Sequence, residues 1–188
     1  MLSPITTLYT YFPQQFFICL FIDLLIVVFG VVLALQLYKK GIIDKAQRAT
    51  LVVLFIWTAV VLFLTVLGRR FNREGINNYN LKLFFCYRQI IYDHNRIMLD
   101  TTIQNIVMFI PIGFTLSAVF KNNHKIILPL IVSFALSLFI EVYQLLMKSG
   151  LFELDDLFNN TLGSFIGILL YIMIACVIRR RTGKRGSN

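Results

Sequence analysis

The chain alternates between long apolar runs and short polar segments. Five of the runs have about the length of roughly 20 residues that a helix needs to cross a hydrocarbon core about 30 Å thick. They cover approximately residues 16–38, 49–68, 103–120, 126–147 and 162–178. The pattern predicts an all-α, polytopic membrane protein with about five transmembrane helices.

The polar segment between the second and third runs also has a helical pattern. Its apolar positions are Leu83, Tyr87, Ile90 and Ile91, and its polar positions, seven residues apart on another face, are Lys82, Gln89 and Arg96. Such a pattern is typical of an interfacial or re-entrant helix that lies among the lipid headgroups. The alternative is an ordinary mobile loop.

Composition assigns nearly the whole chain to the membrane. Hydrophobic residues make up 58% of it and charged residues 14%, whereas soluble domains are about a quarter charged. We divide the chain into two N-terminal transmembrane helices (1–75), a membrane domain (76–178) and a short basic cytoplasmic tail (179–188).

Charge predicts how the helices are oriented. With the N-terminus outside, the inner segments carry eleven Lys and Arg residues against one acid, and the outer segments carry seven against six. Positive charge is enriched on the cytoplasmic side of membrane proteins. We therefore predict a multi-pass protein of the cell membrane with an outer N-terminus and a cytoplasmic C-terminus.

The net charge of +9 is explained by these membrane flanks, so we expect membrane lipids and no nucleic acid as partners. The cysteines Cys19, Cys86 and Cys176 form no Cys-x-x-Cys pair and have no ligand spacing. We accordingly predict no metal site and no cofactor.

Polar residues inside the fourth run are the first candidate site. Ser133, Ser137, Glu141, Gln144 and Lys148 recur at steps of three and four, on one stripe of an otherwise apolar helix. An acid in hydrocarbon costs at least about 2.5 kcal/mol, so this stripe should face the protein interior. Glu141 is either a functional group or a polar group that holds helices together.

The polar segment that connects the fourth run to the last run is the second candidate site. Asp155 and Asp156 precede the predicted helix, where acids suit the partial positive charge of a helix start, and Asn159 and Asn160 can cap or cross-link it. Together with Asn105, near the outer end of the third run, these residues predict a polar pocket close to the outer membrane surface. Its candidate members are Asn105, Glu141, Gln144, Asp155, Asp156 and Asn160.

Four further positions predict how helices pack. Gly163 and Gly167 form a small-xxx-small pattern that allows close approach of another helix. Pro111, followed by Gly113, should kink the third helix and free backbone carbonyls for partners.

Read together, these motifs resemble the VanZ-like family. The resemblance spans about residues 80–171 and rests on Asn105-x3-Phe109-x-Pro111-x-Gly113, Glu141-x2-Gln144 and Asp155-Asp156-x3-Asn160-x2-Gly163-x3-Gly167, preceded by Asn80-Leu81 and Phe84. Two positions depart from the family pattern: Leu83 replaces a proline, and Gly150 lies where relatives often have an arginine. If that arginine pairs with the acids in relatives, this chain must use Lys148, an outer-loop base or no cation at all. The resemblance implies a bacterial envelope protein associated with resistance to teicoplanin, a glycopeptide with a lipid tail.

Three functions remain open from the sequence. The first is a protein that excludes or redistributes a lipid-tailed glycopeptide or a cell-wall precursor through the outer pocket. The second is an intramembrane enzyme that acts on a lipid or a lipid-linked cell-wall precursor. The third is a structural or regulatory partner, such as a homo-oligomer assembled through the glycine seam.

Overall fold

A computed structural model describes residues 13–67, 79–120 and 126–185 of the chain. Six α-helices lie in these ranges: α1 (Pro13–Lys39), α2 (Lys45–Leu62), α3 (Phe85–Tyr92), α4 (Arg96–Val119), α5 (Ile127–Leu146) and α6 (Leu154–Arg185). A π-helical segment, Phe63–Leu67, extends α2, and two short strands are β1 (Tyr79–Asn80) and β2 (Phe152–Glu153). All the helices but α3 are long and apolar enough to cross a membrane, which confirms the predicted fold class.

Helix ends differ from the apolar runs because polar residues extend the helices. Asp44 and Gln47 form a capping box that starts α2 four residues earlier than predicted. Asn95 caps α4 by accepting from the backbone N–H groups of Ile97 and Met98, seven residues earlier than predicted. The largest difference is in α6, which begins at Leu154 and not at residue 162.

The short elements and the helix ends define two sides of the bundle. The two strands pair in parallel, with Tyr79 opposite Phe152 and Asn80 opposite Glu153. The side on which β1, β2, α3 and the N-terminal ends of α4 and α6 lie is called the bridge side below. The opposite side carries the C-terminal end of α6 and is called the tail side.

α4 and α6 are the closest pair of helices, and glycines allow their backbones to approach each other. A Cβ atom on Gly163 would lie 2.1 Å from the carbonyl oxygen of Ile106, and one on Gly167 would lie 2.0 Å from that of Ile110. From the other helix, a Cβ atom on Gly113 would lie 2.0 Å from the Ser164 oxygen. The predicted small-residue seam is therefore occupied within the chain, by α4.

The hydrophobic core lies among α1, α2, α4 and α5. Its buried members are Ala34, Leu51, Leu54, Val61, Val66, Phe109, Ile112, Leu116 and Ile140. The N-terminal helices thus share one core with the later helices, although the division at residue 75 stays a prediction.

Pro111 lies inside α4, which continues through it. The indole N–H of Trp57, on α2, donates to the Met108 carbonyl at 2.8 Å, one turn before the proline. This is a partner of the kind expected for carbonyls near a proline, and the kink itself stays a prediction.

Candidate functional site

The polar stripe of α5 faces α6 and forms a ladder of side-chain hydrogen bonds with it. Ser164 donates to the Ser133 hydroxyl at 2.6 Å, and the Asn160 amide donates to the Ser137 hydroxyl at 2.9 Å. All four side chains are buried. Polar groups in hydrocarbon need partners inside the protein, and here two helices supply them to each other.

Glu141 is the next residue of this stripe toward the bridge side. Its side chain is only 1% exposed, and its Oε2 atom accepts the backbone N–H of Glu153 at 3.0 Å. Glu153 is the β2 residue that lies opposite Asn80. The buried carboxylate therefore joins the core of the bundle to the strand pair.

Gln144 extends the contacts of α5 to another helix. Its side-chain amide donates to the Thr65 carbonyl at 3.1 Å, in the π-helical segment that follows α2. The backbone carbonyl of Gln144 accepts the Ser149 N–H at 3.0 Å, which closes the turn after α5. Gln144 is buried, so both bonds are shielded from solvent.

Asp155 lies in the first turn of α6, but its carboxylate caps a different helix. Its two oxygens accept the backbone N–H groups of Phe84 and Cys86 at the start of α3. Phe84, the N-cap of α3, has a φ of 63° and provides no side-chain cap of its own. Asp155 thus satisfies donors that a helix start leaves unpaired.

Asn159 is fully buried and was missing from the predicted pocket. Its Oδ1 atom accepts the hydroxyl of Tyr87 at 2.5 Å, one turn after Asp155 on the same face of α6. The spacing of four between Asp155 and Asn159 could have revealed this second polar row, but the sequence alone gives no sign that α3 packs on it.

The thiol and the phenol of α3 are both difficult to ionise. Burial, followed by the charge of Glu153 and a hydrogen bond to Asp155, raises the pKa of Cys86 to about 12. Burial and the charge of Asp155 also raise the pKa of Tyr87. Both groups therefore stay neutral at physiological pH, and the thiolate, the reactive form of a cysteine, is suppressed.

The remaining predicted members of the pocket differ in their surroundings. Asp156 is half-buried in the first turn of α6. Asn105 is not near the end of a helix, because α4 begins at Arg96. It precedes Ile106, whose carbonyl lies against Gly163, so this residue of α4 is close to α6.

Six of these side chains form what we call the polar cluster: Glu141, Gln144, Asp155, Asp156, Asn159 and Asn160. All are buried apart from Asp156, so their side chains pack inside the protein. Asn160 joins this cluster to α5 through its hydrogen bond to Ser137, one turn before Glu141.

Buried polar atoms in and around the cluster have unused hydrogen-bonding capacity. Within the described residues, no partner is found for Asn105 Nδ2, Ser149 Oγ, Asn159 Nδ2 or Asn160 Oδ1. Native proteins rarely leave such atoms unpaired. The same ranges contain no group of three His, Cys, Asp or Glu side chains suited to a metal ion.

Lys148 was one of the cations considered as a partner of the acids. It is exposed, and its backbone, at φ 49°, belongs to the turn after α5. Within the described residues it makes no ion pair with a carboxylate. The outer-loop bases Arg69 and Arg70 lie outside the described residues.

Comparison with known proteins gives one family and one relative. A family model described as VanZ/LLP1 matches residues 49–176, which extends the resemblance upstream into α2. Protein VanZ of Enterococcus faecium is 26% identical over 122 residues, covering 63% of this chain and 70% of the relative. No solved structure matches the chain.

Proposed function

The chain belongs to the VanZ/LLP1 family, and from this premise we propose that it acts in a bacterial cell envelope and contributes to teicoplanin-type glycopeptide resistance. The polar cluster on the bridge side would be its working part. The observation that carries the proposal is the set of buried polar atoms, on α4, α6 and the turn after α5, that have no partner among the described residues.

The chemistry of these atoms fits a polar ligand. The amide nitrogens of Asn105 and Asn159 donate hydrogen bonds, and the Asn160 oxygen accepts them. A peptide or sugar group with both donors and acceptors would satisfy such a set. Asn159 is buried against Tyr87 of α3, so a ligand would reach its amide when α3 separates from α6.

The contacts between α3 and α6 are polar and aromatic. Asp155 binds the start of α3, and Asn159 binds Tyr87. Phe84 and Tyr87 also pack edge-on against the Phe158 ring, with centroids 5.5 and 6.5 Å away. Small polar and aromatic contacts of this kind suit an element that opens locally.

The test compares teicoplanin and vancomycin susceptibility in a deletion strain that carries wild-type protein or variants. Glu141→Gln keeps an oxygen that can accept the Glu153 N–H, removes the charge and replaces the other acceptor oxygen with an NH2 donor. We expect Glu141→Gln and Asp156→Asn to lower teicoplanin resistance to the level of the deletion strain, with vancomycin susceptibility unchanged. Asp100→Asn, at an exposed acid of α4, is the matched control.

Immunoblots of the membrane fraction must show equal amounts of all variants. Wild-type teicoplanin resistance in both Glu141→Gln and Asp156→Asn would refute a role for the polar cluster. An equal change in teicoplanin and vancomycin susceptibility would refute involvement of the lipid tail, because that tail belongs to teicoplanin.

The second candidate is an enzyme that acts on a lipid or a lipid-linked cell-wall precursor. It is favoured by the burial of the Glu141 carboxylate, since buried carboxylates are typical of general acid–base sites. Purified protein incubated with radiolabelled envelope lipids should then release product with wild-type chain and not with Glu141→Gln. Absence of turnover, with and without divalent cations, would reject this candidate.

A further inference from the structure

A cleft on the bridge side lies outside the polar cluster. It has a volume of about 330 Å³ and is lined by Lys82, Phe85, Arg88, Gln89, Tyr92 and Asp93. Five of these residues lie in α3 or at its C-cap, at position 85 and three, four, seven and eight residues after it, which places them on one face of the helix. Lys82 lies just before the helix. Its volume is near the lower end of the range of about 300–1,000 Å³ for ligand sites, which suits a headgroup better than a whole lipid.

Charge in the cleft selects an anion. Lys82 and Arg88 are exposed, and neither makes an ion pair with a carboxylate in the described parts of the chain. Arginine binds phosphate through paired N–H donors, and lysine adds a point charge. Asp93, at the far end of α3, leaves a net charge of +1 and offers acceptors to hydroxyl groups.

Large apolar side chains surround this face and place it against lipid. Ile91 is 63% exposed, Tyr92 76% and Ile97 76%, which is unusual for residues of their size in an aqueous setting. Exposed aliphatic and aromatic side chains beside basic ones are typical of a helix that lies at the membrane interface. The headgroup of a lipid in the leaflet that contacts α3 would therefore reach the cleft.

We propose that this cleft binds the headgroup of an anionic phospholipid, with Lys82 and Arg88 on the phosphate and Gln89 and Asp93 on the headgroup hydroxyls. Tyr92 and Phe85 cover the phosphate from the apolar side. The proposal does not depend on antibiotic resistance, since the polar cluster takes no part in it.

The test is native mass spectrometry of the purified full chain with phosphatidylglycerol, phosphatidylcholine or soluble glycerol phosphate. The wild-type chain should retain phosphatidylglycerol in preference to phosphatidylcholine. Each of Lys82→Gln and Arg88→Gln should weaken that binding about fivefold, as expected for one basic residue near an anionic lipid. Arg88→Lys should lose less than Arg88→Gln.

Arg96→Gln is the matched control, because Arg96 is exposed at the start of α4 but does not line the cleft. An equal loss in Arg96→Gln would overturn the site, since net charge alone would then explain binding. Equal retention of phosphatidylcholine would overturn the selection for an anion. Displacement by glycerol phosphate at the same concentration would show a site for free phosphate and would overturn the lipid assignment.

Discussion

Asp155 is the residue whose role changes most between a local and a tertiary view. An acid in the first turn of a helix ordinarily interacts with the partial positive charge of that helix. Here the Asp155 carboxylate instead accepts two N–H groups of α3 and supplies the cap that Phe84 lacks. One buried side chain therefore fixes a helix that lies 69 to 71 residues earlier in the chain.

This contact makes a direct prediction for Asp155→Ala. Hydrogen bonds to charged groups contribute about 1.5–3 kcal/mol each, so loss of the two bonds should cost the variant about 3–6 kcal/mol of stability. Thermal unfolding in detergent should show the loss. Maleimide labelling of Cys86 should also increase, because the thiol would lose part of its burial, the largest cause of its raised pKa, together with the Asp155 carboxylate that adds to it.

Asp155→Asn should fall between the wild type and the alanine variant, since one acceptor oxygen remains. Asp100→Ala removes an exposed acid of α4 and should leave both measurements unchanged. Unaltered melting and unaltered labelling in Asp155→Ala would contradict the capping role.

At the scale of elements, the pairing of α4 with α6 determines where the polar cluster lies. The glycines bring α4 close to α6, while the hydroxyl and amide ladder binds α6 to α5. The two faces of α6 thus use different interactions, close van der Waals packing on one and hydrogen bonds on the other, as expected for helices in a membrane. A homo-oligomer, which stays a prediction, would need a surface other than Gly163 and Gly167.

Gly167→Ala should separate these two helices. The added Cβ would lie 2.0 Å from the Ile110 carbonyl oxygen, which is backbone and can move only with the helix. Overpacking of this kind typically costs about 1–3 kcal/mol. A lower melting temperature in detergent should report it.

Cys176→Val adds apolar volume to an exposed position of the same helix and serves as the control. Equal melting temperatures for Gly167→Ala and Cys176→Val would contradict the close packing of α4 on α6.

At the scale of the molecule, the polar cluster and the arginine cluster at the end of α6 lie at opposite ends of the bundle. The polar cluster and the lipid cleft are on the bridge side, whereas Arg179, Arg180 and Arg181 are at the tail side. Because positive charge is retained in the cytoplasm, we predict that the bridge side faces outward. An outward bridge side is also what a protein acting on envelope ligands requires.

Reporter fusions test this orientation. Alkaline phosphatase fused after Lys148 should be active, since that turn is on the bridge side. The same enzyme fused after Arg185 should be inactive, and a green fluorescent protein at that position should be fluorescent. The reverse pattern would place the polar cluster in the cytoplasm and contradict the proposed function.

The sequence by itself determined the membrane class, the number of spanning helices and the family. Apolar runs reveal spanning helices because hydrocarbon admits few polar groups, and motif order over residues 105–167 was enough for the resemblance. The sequence also located the polar stripe of α5, which includes Glu141 and Gln144, because residues three and four apart share one face of any helix.

Only the tertiary structure decided what these residues contact. Hydropathy placed the start of the last run at residue 162, yet α6 begins at Leu154, because neighbouring elements satisfy the polar side chains of its first turns. Asp155 and Asn159 bind α3, and Glu141 binds β2, through contacts between residues 12 to 72 positions apart. Such pairings depend on how helices pack around one another, and periodicity within one helix carries no information about its partner.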